Sequence, residues 1–434
     1  MPVIDWIIAN VLTQASIVIA SVALLGLLLQ RKGPGETIIG TFKTLLGFQV
    51  LAAGSSIIVG TLTYFGVVFE SAFGLTGIVP SIEAVNGFAT NDLGLGGEIA
   101  LTFLGIFVVN ILLARITPWK YIFLTGQAIL WMATMTVIFA SAAGLPSWAV
   151  IVVSSIVGGI FAVAMPAIAQ PIVRRITGND SIALGHFCTV GYMVEAGVAY
   201  AVRDRKVERD GGKQSSWEEL KLPRSLEFLQ DTYMSLAVVM VPLFTITAIV
   251  AGPDAVTEFT GDTDFVMYAF MQSIQFVVGV YVLMAGVRLM LGEIVPAFRG
   301  ISMRLVPNAK PALDCPVLFP YAPNSVIIGF ITTTVGTLIA MFGLPLLGFA
   351  VIVPGMLTNF FAGGTAGIFG NAVGGRRGAI VGGVVHGLFI TLLPALLVTA
   401  FLSLGFPNLS ATDSDTIVAA LFFAFIVGPI MRAL

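Results

Sequence analysis

Apolar runs about as long as a bilayer crossing recur along this chain from one end to the other, and they leave few folds open. A helix needs roughly 20 apolar residues to cross a hydrocarbon core of about 30 Å. Hydropathy places eleven such spans, at roughly 6–29, 42–65, 97–114, 121–143, 147–170, 232–251, 265–287, 326–345, 347–362, 378–403 and 416–431. Backbone groups in lipid find no water to bond, so spans of this kind must be helical. The expected fold is an all-α polytopic membrane protein. Of 434 residues, 57% are hydrophobic and only 10% charged, against about 25% charged in soluble domains. The run at 6–29 has no basic residue before it, so it reads as a first transmembrane helix and not as a cleaved signal.

Charge decides orientation. Arg31, Lys32, Arg115, Lys120, Arg174, Arg175, the stretch from Arg203 to Arg224, Arg299, Arg304, Lys310, Arg376, Arg377 and Arg432 all fall on one side of the eleven-span layout. Lys43 and Arg288 sit just inside span ends on that same side. The opposite loops carry acids alone: Glu70, Glu83 and Asp92, then Asp254, Glu258, Asp262 and Asp264, then Asp413 and Asp415. The basic side is expected to be cytoplasmic, with the N-terminus outside and the C-terminus inside.

The long polar connection at 202–231 divides the chain, and it reads either as a solvated tether or as a docking surface for a soluble partner. Five spans precede it and five follow, with an eleventh at the end. Five is odd, so the second set starts on the opposite side, which is the geometry of an inverted repeat. The expected organisation is a first repeat at 1–201 with a re-entrant hairpin near 177–200, then the linker. A second repeat at 232–403 has a hairpin near 359–375, and a final span occupies 404–434. Both hairpins are Gly-rich, which lets backbone approach a ligand closely.

Within this apolar chain, Asp314 lies in Ala312-Leu313-Asp314-Cys315-Pro316-Val317-Leu318-Phe319-Pro320-Tyr321-Ala322-Pro323-Asn324. Three prolines in eight residues cannot continue one hydrogen-bonded helix. Irregular backbone at membrane depth is tolerated where it lines a cavity, and a carboxylate there costs about 2.5–3.5 kcal/mol unless partnered. Asp314 is therefore read as a contact for a substrate or coupling ion, the alternative being an ion pair with Arg304 or Lys310. His186, between Gly185 and Phe187 in the first hairpin, is read as a substrate contact. Gln127 is open between a site role and an interhelical hydrogen bond, and Ser55 and Ser56 mark a kink in the second span. Glu293, near Arg288 and Arg299, is read as an interfacial salt bridge, and His386, in a Gly-rich run, as a packing residue. Cys188 and Cys315 form neither a disulfide framework nor a metal site of recognisable spacing. No Walker loop, zinc motif or hydrolase elbow is present, so no cofactor and no catalytic residue are expected.

Particular residues carry a resemblance: Gly286-Val287-Arg288, Ala297-Phe298-Arg299-Gly300-Ile301-Ser302, Arg304-Leu305-Val306-Pro307, Leu313-Asp314-Cys315 and Tyr321-Ala322-Pro323-Asn324. With Leu46-Gly47-Phe48, Ala53-Gly54-Ser55, Arg115-Ile116-Thr117, Leu124-Thr125-Gly126, 182–186 and Glu219-Leu220-Lys221-Leu222-Pro223, the chain resembles the ascorbate-specific enzyme IIC permeases of the phosphotransferase system. The resemblance implies a homodimer of eleven-span subunits in a bacterial or archaeal cell membrane, with an elevator-like core. Soluble IIB and IIA subunits would supply the phosphoryl group, so this chain needs no phosphorylated residue of its own, and no nucleic-acid partner is implied.

Carried over by position, His186 and Asp314 look like two of the family's substrate contacts, with the Thr365 hairpin closing the pocket. The chain departs from the family pattern at Gln127, where a histidine is usual, and at Trp131 and Phe187, where glutamines are usual. The expected site is thus Asp314, His186, Gln127, Thr365 and Ser55, with Phe187 or Trp131 stacking on a ring face. The expected function is permeation of ascorbate or a similar sugar acid or polyol. The alternative is a proton- or sodium-coupled transporter that uses Asp314 as its coupling carboxylate.

Overall fold

The computed structural model describes residues 15–74, 77–209, 212–220, 231–355, 358–406 and 409–433. About 78% of the chain is helical. By length and apolarity, six of the described helices can cross a membrane, or seven if the bent pair Leu236–Ala251 and Pro253–Thr260 is one span. Their outer faces are apolar. Val152, Ile156 and Ile160, one helical turn apart on Ser147–Thr177, are all exposed, while Ser154, Gly158 and Ala162 on the same helix are buried. Small residues inward and branched aliphatics outward are the pattern of a helix bundle in lipid. The chain is a multi-pass membrane protein.

The helices begin and end where local chemistry dictates. Pro34 opens the helix Pro34–Phe73, and Gly74, at a φ of 65°, closes it with its N–H on the Glu70 carbonyl. Asp231 caps Thr232–Ala251 by accepting from the N–H groups of Tyr233 and Met234. Two large cores result. One joins Pro34–Phe73 to Thr232–Ala251 and Phe265–Leu305, and the other gathers Gly96–Ile116, Gly126–Ala142 and Ser147–Thr177.

Among the described residues, five short strands, which hydropathy does not register, organise the interior. β2 (Tyr121–Phe123), β4 (Lys310–Leu313) and β3 (Ala183–Leu184) form one parallel sheet with β4 in the centre. Ile122 lies opposite Pro311, and Leu184 opposite Leu313. β1 (Gly77–Ile78) and β5 (Val351–Ile352) form a second parallel pair.

Several spans differ from the sequence expectation. The described residues of 347–362 do not form one continuous helix: after the 3-10 turn Leu344–Leu347 comes β5, and Asn359–Gly363 is a π-helical stretch that leads into the helix from Gly364. Val351, Ile352, Val353 and Phe360 are buried inside the protein while Leu346 and Leu347 are exposed, a difference that hydropathy does not register. The run at 121–143 divides into β2 and the 17-residue helix Gly126–Ala142. Gly375, at φ 62° and ψ −153°, breaks the helical run Gly364–Ser403. A Cβ at Gly370 would lie 3.0 Å from the Gly378 carbonyl, so the chain doubles back there as a hairpin. Glu293 pairs with Lys43 at 3.0 Å, since the helices Pro34–Phe73 and Phe265–Leu305 pack side by side. The side chains of Arg299 and Arg304 lie outside the described residues, as do 1–14 of the first expected span.

The described part of the polar connection is held against the fold. Glu218 accepts from the N–H and hydroxyl of Ser325 at 2.8 and 2.7 Å, and from the N–H of Asn324, capping the helix Pro323–Gly343. Trp217 donates its indole N–H to the Arg376 carbonyl, Arg376 pairs with Glu219 at 3.3 Å, and Asn371 bonds Ser216 and Trp217. This strap therefore ties the start of Pro323–Gly343 to Asn371 and Arg376, on either side of the break at Gly375.

Candidate functional site

Three strand ends converge on one place. β2 leads through Leu124 and Thr125 into Gln127, β3 leads through Gly185 into His186, and β4 leads directly into Asp314. The carbonyls of Ala312 and Leu313 accept from Leu124 and Gly185 at 2.9 and 2.7 Å, which fixes the register of these exits. At Gly185 only glycine fits, because a Cβ would stand 2.6 Å from the Ala312 carbonyl oxygen. Ligands at the carboxyl ends of parallel strands are a general consequence of such sheets, since the chain there turns away and leaves a crevice.

The side chains form a connected polar wall. Asp314 Oδ2 accepts from Gln127 Nε2 at 2.7 Å, and Oδ1 accepts from the Cys315 N–H at 2.8 Å. His186 Nε2 stands 4.0 Å from Asp314 Oδ1, too far for a hydrogen bond. On the other side of the ring, Nδ1 lies 2.7 Å from the Tyr192 hydroxyl. A hydroxyl donating to Nδ1 leaves the proton on Nε2, facing Asp314. The gap between them suits a group that accepts from Nε2 and donates to Oδ1, which is what an alcohol does. Gln127 Oε1 is buried with no partner among the described residues, leaving one more acceptor on the wall.

This wall borders a cavity of about 110 Å³. Its second side is supplied by the β1–β5 pair, whose strands run into Val79-Pro80-Ser81 and Val353-Pro354-Gly355, all of them lining residues. Its third side is apolar: Ile58, Leu62, Phe65, Met240, Leu243 and Phe276 come from the long helices of the first core. Polar groups thus face the cavity from one part of the fold, and a greasy surface faces it from another.

Of the residues singled out in the sequence, Asp314, His186, Gln127 and Trp131 line the cavity. Phe187 does not. Its ring is fully buried and stacks on Phe123, with centroids 4.4 Å apart and planes 15° from parallel. Thr365 is fully buried, donates to the Phe361 carbonyl at 2.7 Å, and is not part of the lining, which its hairpin meets through Phe361 and Ala362. Ser55 lies in the helix Pro34–Phe73, and its side chain is outside the described residues. His386 is buried, with Nδ1 3.2 Å from the Thr333 hydroxyl.

Asp413 and Asp415, read from sequence as loop charges, are interior groups. Asp415 accepts from the N–H groups of Thr189 and Val190 at 3.0 and 2.8 Å, capping the helix Thr189–Val202 that follows His186. Its own N–H donates to the Phe187 carbonyl. Asp413 lines the cavity and accepts from Cys188 Sγ at 3.5 Å, with its backbone at a φ of 40°. The run Thr412-Asp413-Ser414-Asp415-Thr416 before an apolar stretch was the available signal, because it is helix-capping chemistry.

Away from the cavity, the entry side of β4 carries an ion cluster. Asp180 bonds Lys310, Arg174 Nε at 2.7 Å and Gln170 Nε2 at 2.8 Å. Burial by itself would raise the Asp180 carboxyl, but these donors outweigh it and hold it below the ordinary carboxylate range. Lys310 is therefore engaged by Asp180, and the neutral Gln127 is left as the side-chain donor to Asp314.

The profile of the phosphotransferase-system sugar-specific permease component family matches residues 10–415. Among curated proteins, the chain is similar to the ascorbate-specific phosphotransferase-system EIIC component of Mycoplasma pneumoniae, 25% identical over 432 aligned residues. The alignment covers 86% of this chain and 63% of the relative, so the chain spans less than two thirds of that protein's length.

Proposed function

This chain belongs to the sugar-specific permease components of the phosphotransferase system, and we propose that it carries ascorbate or a similar sugar acid or polyol across the cell membrane. A separate IIB subunit, recharged by IIA, would phosphorylate the substrate. The observation that carries this reading is the gap between His186 Nε2 and Asp314 Oδ1, a donor and an acceptor set 4.0 Å apart on a cavity wall. Gln127 extends the same wall with an acceptor that has no partner among the described residues. A polyhydroxylated ligand satisfies such groups, and leaving them unpaired is costly, so the wall selects for hydroxyls. Trp131 offers an apolar face to the carbon skeleton.

The alternating movement we propose is elevator-like. Its support is the division of the cavity between a polar wall on short strands and hairpins and an apolar wall on long helices. An apolar surface makes no directional bonds that would have to break as the polar wall slides past it. We further propose eleven spans in two inverted repeats, divided by the 202–231 connection, as a homodimer with the N-terminus outside. The strand pairings support the repeats. β1 in the first half pairs in parallel with β5 in the second, while β2 and β3 of the first half both pair with β4 of the second. The segments Ile78-Val79-Pro80-Ser81 and Ile352-Val353-Pro354-Gly355 also match each other across the halves.

Reconstituted vesicles test the transport reading. Uptake of phosphorylated substrate that requires phosphoenolpyruvate and the soluble phosphotransferase proteins is the expected result. Accumulation of unmodified substrate driven by a proton or sodium gradient, without those proteins, would replace it with the ion-coupled alternative.

A further inference from the structure

The segment after β3 brings one thiol, Cys188, and one imidazole, His186, toward carboxylates that the transport reading leaves partly unused. His186, Cys188 and Asp413 each offer a ligand atom, and the three atoms lie within 4.8 Å of one another. We propose that this trio is a binding site for a borderline-soft divalent cation, with Zn²⁺ the best fit.

The donor set argues for that class of ion. Thiolate, imidazole and carboxylate together are zinc ligands, whereas magnesium and calcium take oxygen donors and keep water. Metal–ligand bonds of about 2.0–2.3 Å in a tetrahedron put ligand atoms roughly 3.3–3.8 Å apart. Cys188 Sγ and Asp413 Oδ1 already stand at 3.5 Å, as donor and acceptor of one hydrogen bond. On binding, Cys188 releases its thiol proton to solvent, and the ion takes its place between sulfur and oxygen. Cys188 is fully buried, while His186 and Asp413 border the cavity, so the ion has an entry path and a fourth position open to water. The Asp413 backbone, at a φ of 40°, turns this carboxylate toward the thiol.

A second trio, His186, Asp314 and Cys315, also lies within 4.8 Å, but it is already engaged. Both Asp314 oxygens accept hydrogen bonds, and Cys315 Sγ lies 3.3 Å from the Tyr192 hydroxyl. The first trio also joins two separate segments, at 186–188 and 413, so a bound ion pins them together. Because His186 belongs to the sugar wall as well, ion and sugar would exclude each other. That last consequence rests on the transport reading, whereas ion binding does not.

The test uses the purified full chain in detergent without sugar, so failure here is separable from failure of the transport reading. Zn²⁺ at micromolar concentration is expected to raise the melting temperature, and Mg²⁺ is not. Co²⁺ is expected to give a thiolate-to-metal charge-transfer absorption. Cys188→Ser should abolish that absorption, and both Cys188→Ser and Asp413→Asn should weaken zinc at least tenfold, while Cys315→Ser retains it. Absence of the cobalt absorption from the unsubstituted protein overturns the site even if the variants fold poorly. Loss of zinc binding in Cys315→Ser with retention in Cys188→Ser overturns it in favour of the second trio.

Discussion

Gln127 and Asp314, 187 residues apart in the chain, meet at 2.7 Å between an amide nitrogen and a carboxylate oxygen. The contact is set by backbone, because β2 and β4 pair in parallel, β4 running directly into Asp314 and β2 delivering Gln127 four positions after its end. A partly buried acid is thereby given a neutral donor and not a cation. It keeps its charge available to a ligand, where a salt bridge would have spent it.

Asp314→Asn is the sharpest probe of that arrangement. The amide has one acceptor where the carboxylate has two, so it cannot satisfy Gln127, the Cys315 N–H and a substrate hydroxyl together. Charge-assisted hydrogen bonds contribute about 1.5–3 kcal/mol, or roughly 10- to 100-fold in affinity. Substrate affinity, read by calorimetry or ligand-induced thermal shift, is expected to fall by that factor with the protein still reaching the membrane. Unchanged affinity would remove Asp314 from the binding wall.

Much of this was legible in the sequence, for physical reasons that differ by residue. Lipid forces apolar runs on spans and dislikes broken backbone and charge, so Asp314 and His186 stood out against their surroundings. Gln127 and Trp131 followed from position in a family pattern. The strands did not register, because β2 and β4 hold three and four residues and their partners lie far away in the chain. Asp413 and Asp415 were misread as loop charges because a capping carboxylate and a solvated one look alike until the helix it caps is known. Phe187 was assigned from the family position where a glutamine is usual, but an apolar ring there is drawn into the core, where it stacks on Phe123.

The strap at 212–220 is expected to matter for stability before transport. Glu218 accepts three hydrogen bonds at the start of Pro323–Gly343, from Asn324 and Ser325. Removing a capping acceptor costs about 0.5–2 kcal/mol, more where several donors are left unpaired. Glu218→Ala should lower the melting temperature of the detergent-solubilised protein and expose the strap to protease. A melting curve identical to that of the unsubstituted protein would mean that the strap detaches freely in solution.

The Asp180 cluster gives a pH dependence of defined sign. Its folded carboxyl lies below the ordinary value of 3.8, so its stabilisation is fully present above that value and is lost as pH falls through the folded one. The melting temperature of Asp180→Asn should therefore sit below that of the parent by a constant amount from pH 8 to about pH 5, narrowing only in stronger acid. Because the group is exposed, a drop of a few degrees at most is expected. A difference that grows from pH 5 to pH 8 would assign the dependence to another group.

Tyr192→Phe tests how His186 is set. The hydroxyl lies 2.7 Å from Nδ1 and 3.3 Å from Cys315 Sγ, while the ring packs against His386 and Phe369, so phenylalanine keeps the packing and removes only the hydroxyl's contacts. Without that donor, the imidazole is free to place its proton on either nitrogen, and a fraction of the molecules then presents a lone pair to Asp314 instead of an N–H. A neutral hydrogen bond contributes about 0.5–1.5 kcal/mol, so substrate affinity is expected to fall roughly 2- to 12-fold with little change in melting temperature. His186→Ala should cost at least as much, and the double variant little more than His186→Ala alone, because the hydroxyl acts only through the ring. Additive losses in the double variant would show that Tyr192 contacts the substrate itself.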